Sequence, residues 1–82
     1  MLRYDYVDDI LERRGAYREQ HLALLTEHGC MMGGAIGDPV HGALIVFETA
    51  AQAEAFTRVD PYVANGLVTE QRIEPWALAI RS

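Results

Sequence analysis

Two side chains in this sequence are suited to acid–base chemistry near neutral pH. His21 falls on the inward stripe of a predicted helix, where a neutral imidazole can take up or deliver a proton if a partner fixes its tautomer. Asp60 precedes Pro61 at a turn, and its carboxylate is suited to orient such an imidazole and to stabilise its charged form. Each residue also has a structural interpretation: His21 as a core histidine bonded to backbone, and Asp60 as a helix N-cap. A capping carboxylate has a second oxygen, so both roles are open to Asp60.

Three other residues are candidates for substrate binding. Arg18 lies one turn before His21 on a neighbouring part of the same helix face, and can attract a substrate anion or the Asp60 carboxylate. Gly34 belongs to a glycine pair that lets a ligand approach backbone N–H groups, although strand packing explains glycines as well. Tyr62 follows the aspartate at the turn, and its residue type is also typical of core or interface packing.

Composition and spacing argue against several other classes of protein. The net charge is −5, and all seven basic residues are arginines spread along the chain, which argues against nucleic acid and against an anionic membrane surface. The three histidines lack metal-ligand spacing and there is one cysteine, so no metal site is predicted. The sequence has no phosphate loop or dinucleotide fingerprint, and no cofactor is expected. The lone Cys30 and the lack of a signal pattern or long apolar run predict a cytoplasmic protein.

Hydrophobic periodicity and turn residues predict the elements that hold these side chains. Asp8-Asp9 offers N-cap side chains, Gly15 interrupts the helical region near its start, and Gly29 is expected to end it. Thr49 and Gln52 form a capping-box pattern before the second helix. The predicted elements are a strand over residues 2–7 with Leu2, Tyr4 and Tyr6 on one face, a helix over 16–28, a buried strand over 30–37, a strand over 43–47, a helix over 50–58 with Ala55, Phe56 and Val59 as its packing edge, a short helical turn within 60–67, and an extended region over 68–80 broken at Pro75.

This order, β-α-β-β-α-β, is typical of the ferredoxin-like α+β fold. It predicts a single domain over residues 1–82, in which a four-stranded antiparallel sheet carries both helices on one face. The strand over residues 43–47 is apolar on both faces, so the helix-free face is expected to be covered too. We therefore expect a homodimer that packs sheet to sheet.

Short segments spread over most of the chain resemble the YCII (YciI-like) family of dimeric α/β-barrel proteins. They are Arg18-Glu19-Gln20-His21-Leu22, Gly33-Gly34, Asp60-Pro61-Tyr62, Gly66-Leu67 and Glu74-Pro75-Trp76. The resemblance implies a ferredoxin-like homodimer with a histidine–aspartate pair in its pocket, here His21 and Asp60, and lyase or dehydrohalogenase activity on small ring compounds. One departure is Gly33-Gly34, where many members have Gly-Pro, and this affects the pocket wall.

The residues and the resemblance together lead to a first hypothesis. It is a cofactor-independent enzyme of lyase, dehydrohalogenase or isomerase type, in which the histidine–aspartate pair moves a proton on a small organic substrate. The alternative is a non-catalytic dimeric module that binds a ligand or a partner, because fold does not imply function. A third hypothesis is a quinol-oxidising monooxygenase, since the chain offers several tyrosines and a tryptophan to line such a site.

Overall fold

The computed structural model describes residues 1–77 of the 82-residue chain. Its strands and long helices follow the predicted β-α-β-β-α-β order, with short helical turns added before the first long helix and after the second. The elements are β1 (Leu2–Tyr6), α1 (Ile10–Arg13), a 3-10 turn (Arg14–Ala16), α2 (Arg18–Glu27), β2 (Met32–Ile36), β3 (Gly42–Val46), α3 (Ala50–Val59), α4 (Pro61–Ala64) and β4 (Val68–Ile73). Within the described residues, no helix is long and apolar enough to cross a membrane.

The four strands form one antiparallel sheet in the spatial order β2-β3-β1-β4. In the middle of the sheet, Leu2 lies opposite Ile45 on one side and Ile73 on the other. Because side chains alternate across a strand, these three residues point to the same face, which we call the inner face. Residues of α2 and α3 pack against this inner face. The ferredoxin-like α+β fold predicted from the sequence is therefore confirmed.

The main core lies between the inner face of the sheet and α3. Its buried members come from β1, from β3 and the residue after it, and from α3: Leu2, Tyr4, Ala43, Ile45, Phe47, Ala53 and Phe56. The predicted capping box starts α3, since Thr49 accepts from the Gln52 N–H and the Gln52 side chain accepts from the Thr49 N–H. This box fixes the first turn of the helix. The predicted packing of Phe56 is confirmed, and that of Val59 is wrong. Val59 is 48% exposed, because the helix ends there and the chain turns away.

The first helical region is interrupted at Gly15, as predicted, although the long helix predicted over residues 16–28 begins only at Arg18 and ends at Glu27. It comprises α1, the 3-10 turn containing Gly15, and α2, which begins at Arg18. Glycine is a poor helix former, and neither α1 nor α2 has a side chain that caps its first turn, so the break lies where the sequence supports a helix least. The predicted stop is confirmed, because Gly29 follows the helix with a φ of 77°.

Two expectations about burial in the sheet are wrong for the single chain. The strand predicted as buried is the edge strand β2, where four residues are exposed and Ile36 is half-buried, because β3 is its one neighbour within the described sheet. The strand predicted to be covered on both faces is β3. Ala43 and Ile45 are buried on its inner face, but Leu44 is 36% exposed on the opposite face, which we call the outer face.

The last strand ends where the apolar pattern predicts a break. β4 stops at Ile73, and the residues from Glu74 to Ala77 around Pro75 have no regular structure. Proline cannot donate to a strand ladder, which accounts for the break. The part of the predicted extended region that contains Leu78 and Ile80 lies outside the described residues.

Candidate functional site

His21 differs from the rest of α2 in its burial. Within residues 18–27, all of which the structure describes, it alone is buried, with 5% of its surface exposed. The helix carries Arg18 one turn earlier at its first position and Leu25 one turn later, so this side of α2 faces the inner face of the sheet. A polar ring buried at the centre of that side requires a hydrogen-bond partner.

Asp60 lies at the junction between α3 and α4 and is almost wholly buried, with 1% exposure. It is the N-cap of α4, where its Oδ1 accepts from the backbone N–H of Tyr62 at 3.1 Å, and Pro61 occupies the first helical position. Proline has no N–H to satisfy and its φ suits a helix start, so Asp-Pro specifies this turn locally. The capping interpretation of Asp60 is confirmed.

The same carboxylate also bonds His21. The distance between His21 Nδ1 and Asp60 Oδ1 is 2.8 Å, and both side chains are buried. Both structural elements are needed for this contact, because α2 supplies the ring and the turn after α3 supplies the carboxylate. The structure therefore brings together the two residues that the sequence singled out, in hydrogen-bond geometry.

Tyr4 is a third member of this cluster, and the sequence did not identify it as a functional residue. Its hydroxyl donates to Asp60 Oδ2 at 2.7 Å from the middle of β1. Burial raises the pKa of the Tyr4 phenol above its usual value, and the negative charge of Asp60 and the hydrogen bond to it raise it further. A signal was present, because a tyrosine assigned to the inner face of a central strand needs a buried partner for its hydroxyl.

A cleft of about 220 Å³ opens between α2 and the inner face of β2 and β3. Leu22 and Leu25 of α2 form part of one wall, and Ala43 and Ile45 of β3 form part of the floor. The cleft exists because β2 is an edge strand that α2 does not cover. His21 lines this cleft, so the buried cluster has one side that a small molecule can reach.

The hydrogen bonds determine which imidazole nitrogen is available. Asp60 accepts from the Tyr4 hydroxyl and from the Tyr62 N–H, and an ionised carboxylate is an acceptor only, so His21 donates from Nδ1. Within residues 1–77, Nε2 has no hydrogen-bond partner, and no buried side-chain nitrogen or oxygen lacks one. Nε2 is therefore accessible from the cleft, with a lone pair that can accept a proton.

Aromatic rings fix the plane of the imidazole. The Tyr62 ring is stacked on His21 with centroids 3.8 Å apart and planes 2° apart, and Phe56 meets the same ring edge-on at 5.6 Å. Tyr62 thus contributes twice, through its backbone N–H to Asp60 and through its ring to His21. Both contacts limit rotation of the imidazole, which keeps Nε2 directed at the cleft.

The three predicted substrate-binding residues all line this cleft: Arg18, Gly34 and Tyr62. Gly34 is opposite Leu44 in the β2–β3 ladder, so a side chain at this position would point to the outer face. It contributes backbone to the cleft, and a Cβ built there would meet open space. Nothing in the packing of residues 1–77 requires glycine at position 34.

Two further depressions lie away from this cluster. One, of about 270 Å³, is on the outer face among Arg3, Asp5, Glu70 and Arg72. The other, of about 490 Å³, lies at the end of the sheet beside Phe47 and Trp76. Among residues 1–77, no group of three or more histidine, cysteine, aspartate or glutamate side chains is arranged to hold a metal ion.

Comparison with known proteins supports the fold. No protein-family model matches the chain, and no curated protein matches it either. A solved structure that is similar is the 5-chloro-2-hydroxyhydroquinone dehydrochlorinase TftG from Burkholderia phenoliruptrix AC1100, in complex with 2,5-dihydroxybenzoquinone. The TM-score is 0.67 at 23% sequence identity, over 94% of each chain. This likeness bears on the fold, and the resemblance to the YCII family stays a prediction.

Proposed function

We propose that this protein is a cofactor-independent enzyme of lyase type, in which His21 and Asp60 act as an acid–base pair on a small organic substrate. The observation that carries the proposal is the geometry of the imidazole: Nδ1 is held by a buried carboxylate at 2.8 Å while Nε2 is accessible from a cleft. This is the arrangement that a general base needs, because the carboxylate fixes the tautomer and stabilises the imidazolium that forms.

The chemistry follows from these positions. Nε2 takes a proton from a substrate in the cleft, and the positive charge that develops on His21 lies next to the Asp60 carboxylate. The Nε2–H group can then return the proton at a different substrate atom, so that one imidazole serves as base and acid in turn. Arg18, at the same cleft, attracts an anionic group of the substrate.

Within this class we propose elimination of a hydrogen halide from a hydroxylated ring. Two likenesses support this choice: the sequence segments that resemble the YCII family, and the fold shared with a dehydrochlorinase. In such a reaction His21 moves a proton from a ring hydroxyl to the carbon that bears the halogen. It then removes the proton of a second hydroxyl as the halide leaves with the electron pair of its bond to carbon. The net products are a quinone, one proton and one halide ion, so the reaction balances without an external oxidant.

The direct test is chloride release from 5-chloro-2-hydroxyhydroquinone under argon. We expect turnover by the wild type and a fall in kcat/KM of about 10²–10⁴-fold in His21→Gln. The matched control is His41→Gln, which changes an exposed histidine in the β2–β3 turn outside the cleft. Absence of chloride release by the wild type would refute the halide reaction. Equal loss in both variants would refute the role of His21. Argon excludes oxygen, so turnover under it also separates elimination from a quinol monooxygenase.

The second candidate function is a non-catalytic module that binds a ligand. A specific observation favours it: Asp60 already holds the fold through the Tyr62 N–H and the Tyr4 hydroxyl, independently of its bond to His21. The two functions differ in whether the bound compound is converted to a product. If 2,5-dihydroxybenzoquinone binds to wild type and His21→Gln with equal Kd and no compound is turned over, the module is the better description.

We also propose that the protein forms a homodimer through the outer face of the sheet. Exposed apolar side chains lie on one half of this face, with Met32 58% and Leu44 36% exposed, and charged residues of both signs lie on the other half. A twofold axis can bring such a face against a copy of itself. Sedimentation velocity at micromolar concentration should give the mass of two chains, and Leu44→Arg should lower it to that of one. A monomeric wild type would contradict the dimer.

A further inference from the structure

Two arginines are among the residues that line the cleft. Arg14 begins the 3-10 turn and Arg18 begins α2, and both line the cleft together with His21. Arg14 and Arg18 are four residues apart, a spacing that puts two side chains on one face of a helical segment, and both line the same cleft although Gly15 interrupts the helix between them. Arg14 is half-buried, whereas Arg18 is exposed.

Neither arginine has a carboxylate partner within residues 1–77. By contrast, Arg3 pairs with Asp5 at 3.5 Å, and Arg13 pairs with Asp9 at 3.6 Å. The residues that line the cleft include no aspartate or glutamate among those described, although the chain as a whole carries a net charge of −5. The two arginines therefore make the described lining of the cleft positive, and a bound anion would be stabilised there.

The field of the two guanidinium groups extends to the phenols inside the cleft. Burial raises the pKa of Tyr62, while Arg18 and Arg14 act in the opposite direction and favour its ionised form. The same two arginines act in this direction on Tyr6, whose pKa burial also raises. Both tyrosines line the same cleft as the two arginines.

The remaining walls restrict the shape of the ligand. Leu22, Leu25, Ala43 and Ile45 give the cleft apolar walls, and a volume of about 220 Å³ is suited to a molecule of one ring. Apolar walls with a few convergent polar groups are typical of small-molecule sites. Nε2 of His21 lies in the same space, so an anion held at the arginines places the ring against the base.

We propose that Arg14 and Arg18 form an anion subsite, and that the substrates of this protein are single-ring compounds carrying an ionised oxygen, either a carboxylate or a phenolate-type enolate. The inference rests on the proposed function for what happens after binding, but the binding step is measurable by itself. Arg14 is a specificity-determining residue in this scheme: with Arg18, it selects ionised over neutral forms of the same ring.

The test is calorimetric titration with three probes. A matched pair, 4-hydroxybenzoate and the neutral 4-hydroxybenzamide, reports the carboxylate, and 2,5-dihydroxybenzoquinone, a vinylogous acid that is ionised at neutral pH, reports the enolate. We expect the wild type to bind 4-hydroxybenzoate or the quinone at least about tenfold more tightly than the amide. Which of the two anions binds more tightly identifies the oxygen that the subsite prefers.

The variants are Arg14→Gln, Arg18→Gln and the double substitution, with Arg58→Gln near the end of α3 as the charge-matched control. Each single change should weaken anion binding by about tenfold and leave the amide unchanged, whereas the control should bind as the wild type does. Equal affinity of the wild type for benzoate, quinone and benzamide would overturn the subsite. Anion affinity that survives the double substitution would also overturn it.

Two measurements separate this inference from the proposed function. A salt titration of the wild type requires no variant, and anion binding should weaken with ionic strength while amide binding does not. His21→Gln should keep the preference for anions and lose chloride release. If the preference is present but no chloride is released by the wild type, the subsite stands and the proposed reaction fails. If the preference is absent while chloride is released, the subsite fails and the reaction stands.

Discussion

The two long helices make very different use of the same face of the sheet. α2 and α3 have ten residues each. α3 buries Ala53, Phe56 and Thr57, whereas His21 is the single buried residue within the fully described α2. α3 therefore closes its half of the core with apolar contacts. α2 packs against the core with the partly buried Leu24 and Leu25, and the space left between α2 and the sheet at β2 and β3 is the cleft.

This difference shows how a small domain can keep an open site without losing its core. The α3 half contains the fully buried Leu2, Tyr4 and Phe56, and the capping box fixes the start of its helix. The α2 half leaves Leu22 46% exposed and has no capping side chain at Tyr17. The α3 half of the sheet thus provides the packed core, and the α2 half provides the accessible site.

The two halves are joined by the hydrogen bonds of Asp60. This residue follows α3 directly. It bonds Tyr4, which belongs to the α3 half, and His21, which belongs to the α2 half. The α3 half therefore holds the Asp60 carboxylate in place, and the α2 half supplies the imidazole ring that faces the cleft. A site built on packed elements holds its geometry more accurately than one built on loops.

The largest predicted effect tests the contrast between the helices directly. Phe56→Ala, on α3, should lower the free energy of unfolding by about 3–5 kcal/mol, because the ring is fully buried and leaves a cavity. Leu22→Ala, on α2, should lower it by less than about 1 kcal/mol, because this side chain already lies partly in solvent. Urea denaturation followed by circular dichroism measures both.

Similar losses in the two variants would contradict this division of the molecule. It would mean that α2 is packed as firmly as α3, and that the cleft closes in solution. Leu22→Ala should instead change ligand affinity, since the side chain lines the cleft, and this second measurement shows whether the substitution reached the site at all.

The next effect concerns the link between the halves. Tyr4→Phe removes the donor to Asp60 Oδ2 and leaves a buried carboxylate oxygen with no protein donor among residues 1–77, which should cost about 1–3 kcal/mol of unfolding free energy. The matched control is Tyr17→Phe, whose hydroxyl makes no hydrogen bond within residues 1–77 and whose loss should be near zero. Urea denaturation compares the two, and equal stability would show that the Tyr4 bond does not hold the pair.

The ¹⁵N chemical shifts of the His21 ring provide a second measurement for Tyr4→Phe. In the wild type they should report a protonated Nδ1 and an unprotonated Nε2, as the hydrogen bond to Asp60 requires. Loss of the Tyr4 bond frees the carboxylate to rotate, so the variant should show a mixture of tautomers. An unchanged tautomer would mean that the Tyr62 N–H alone is sufficient to hold Asp60.

Much of this architecture could be predicted from the sequence because the signals were local. Alternating apolar residues predicted β1, the Thr49–Gln52 pair predicted the start of α3, and Asp60-Pro61 predicted the start of α4. The element order then predicted a four-stranded antiparallel sheet. The pairing of His21 with Asp60 was predicted with the help of the family resemblance, since spacing alone does not place residues so far apart in the chain in contact.

The parts that could not be predicted depend on which strand lies at an edge and on what covers it. The glycine-rich apolar segment of β2 fits a buried strand as well as an exposed edge, and the sequence pattern does not distinguish them. Tyr4 was assigned to the right face, but its partner lies at the other end of the chain. Arg14 lies in the 3-10 turn at the predicted interruption, before the helix predicted over residues 16–28, and the sequence pattern did not identify it as a cleft residue.

The smallest predicted effect is the pH dependence of stability. Burial and the neighbouring Asp60 raise the pKa of Tyr4, and burial with the nearby Tyr62 and Asp60 raises that of Tyr6. An unfolded tyrosine has a pKa of about 10. Above about pH 10 the unfolded chain therefore releases protons that the folded chain retains, so the unfolding free energy is highest below this pH and falls as pH rises.

The expected slope is about 1.4 kcal/mol per pH unit for each retained phenol proton. The chain has no lysine, so no ammonium side chain titrates in this window, and a Cys30→Ala background removes the thiol, whose pKa burial raises. In that background, urea denaturation between about pH 9 and pH 11 gives the slope of the unfolding free energy against pH. This slope should be shallower for Tyr4→Phe than for the chain that retains Tyr4. Equal slopes would mean that the Tyr4 phenol titrates in the folded chain as it does in the unfolded chain. Water would then reach Tyr4 at its hydrogen bond to Asp60.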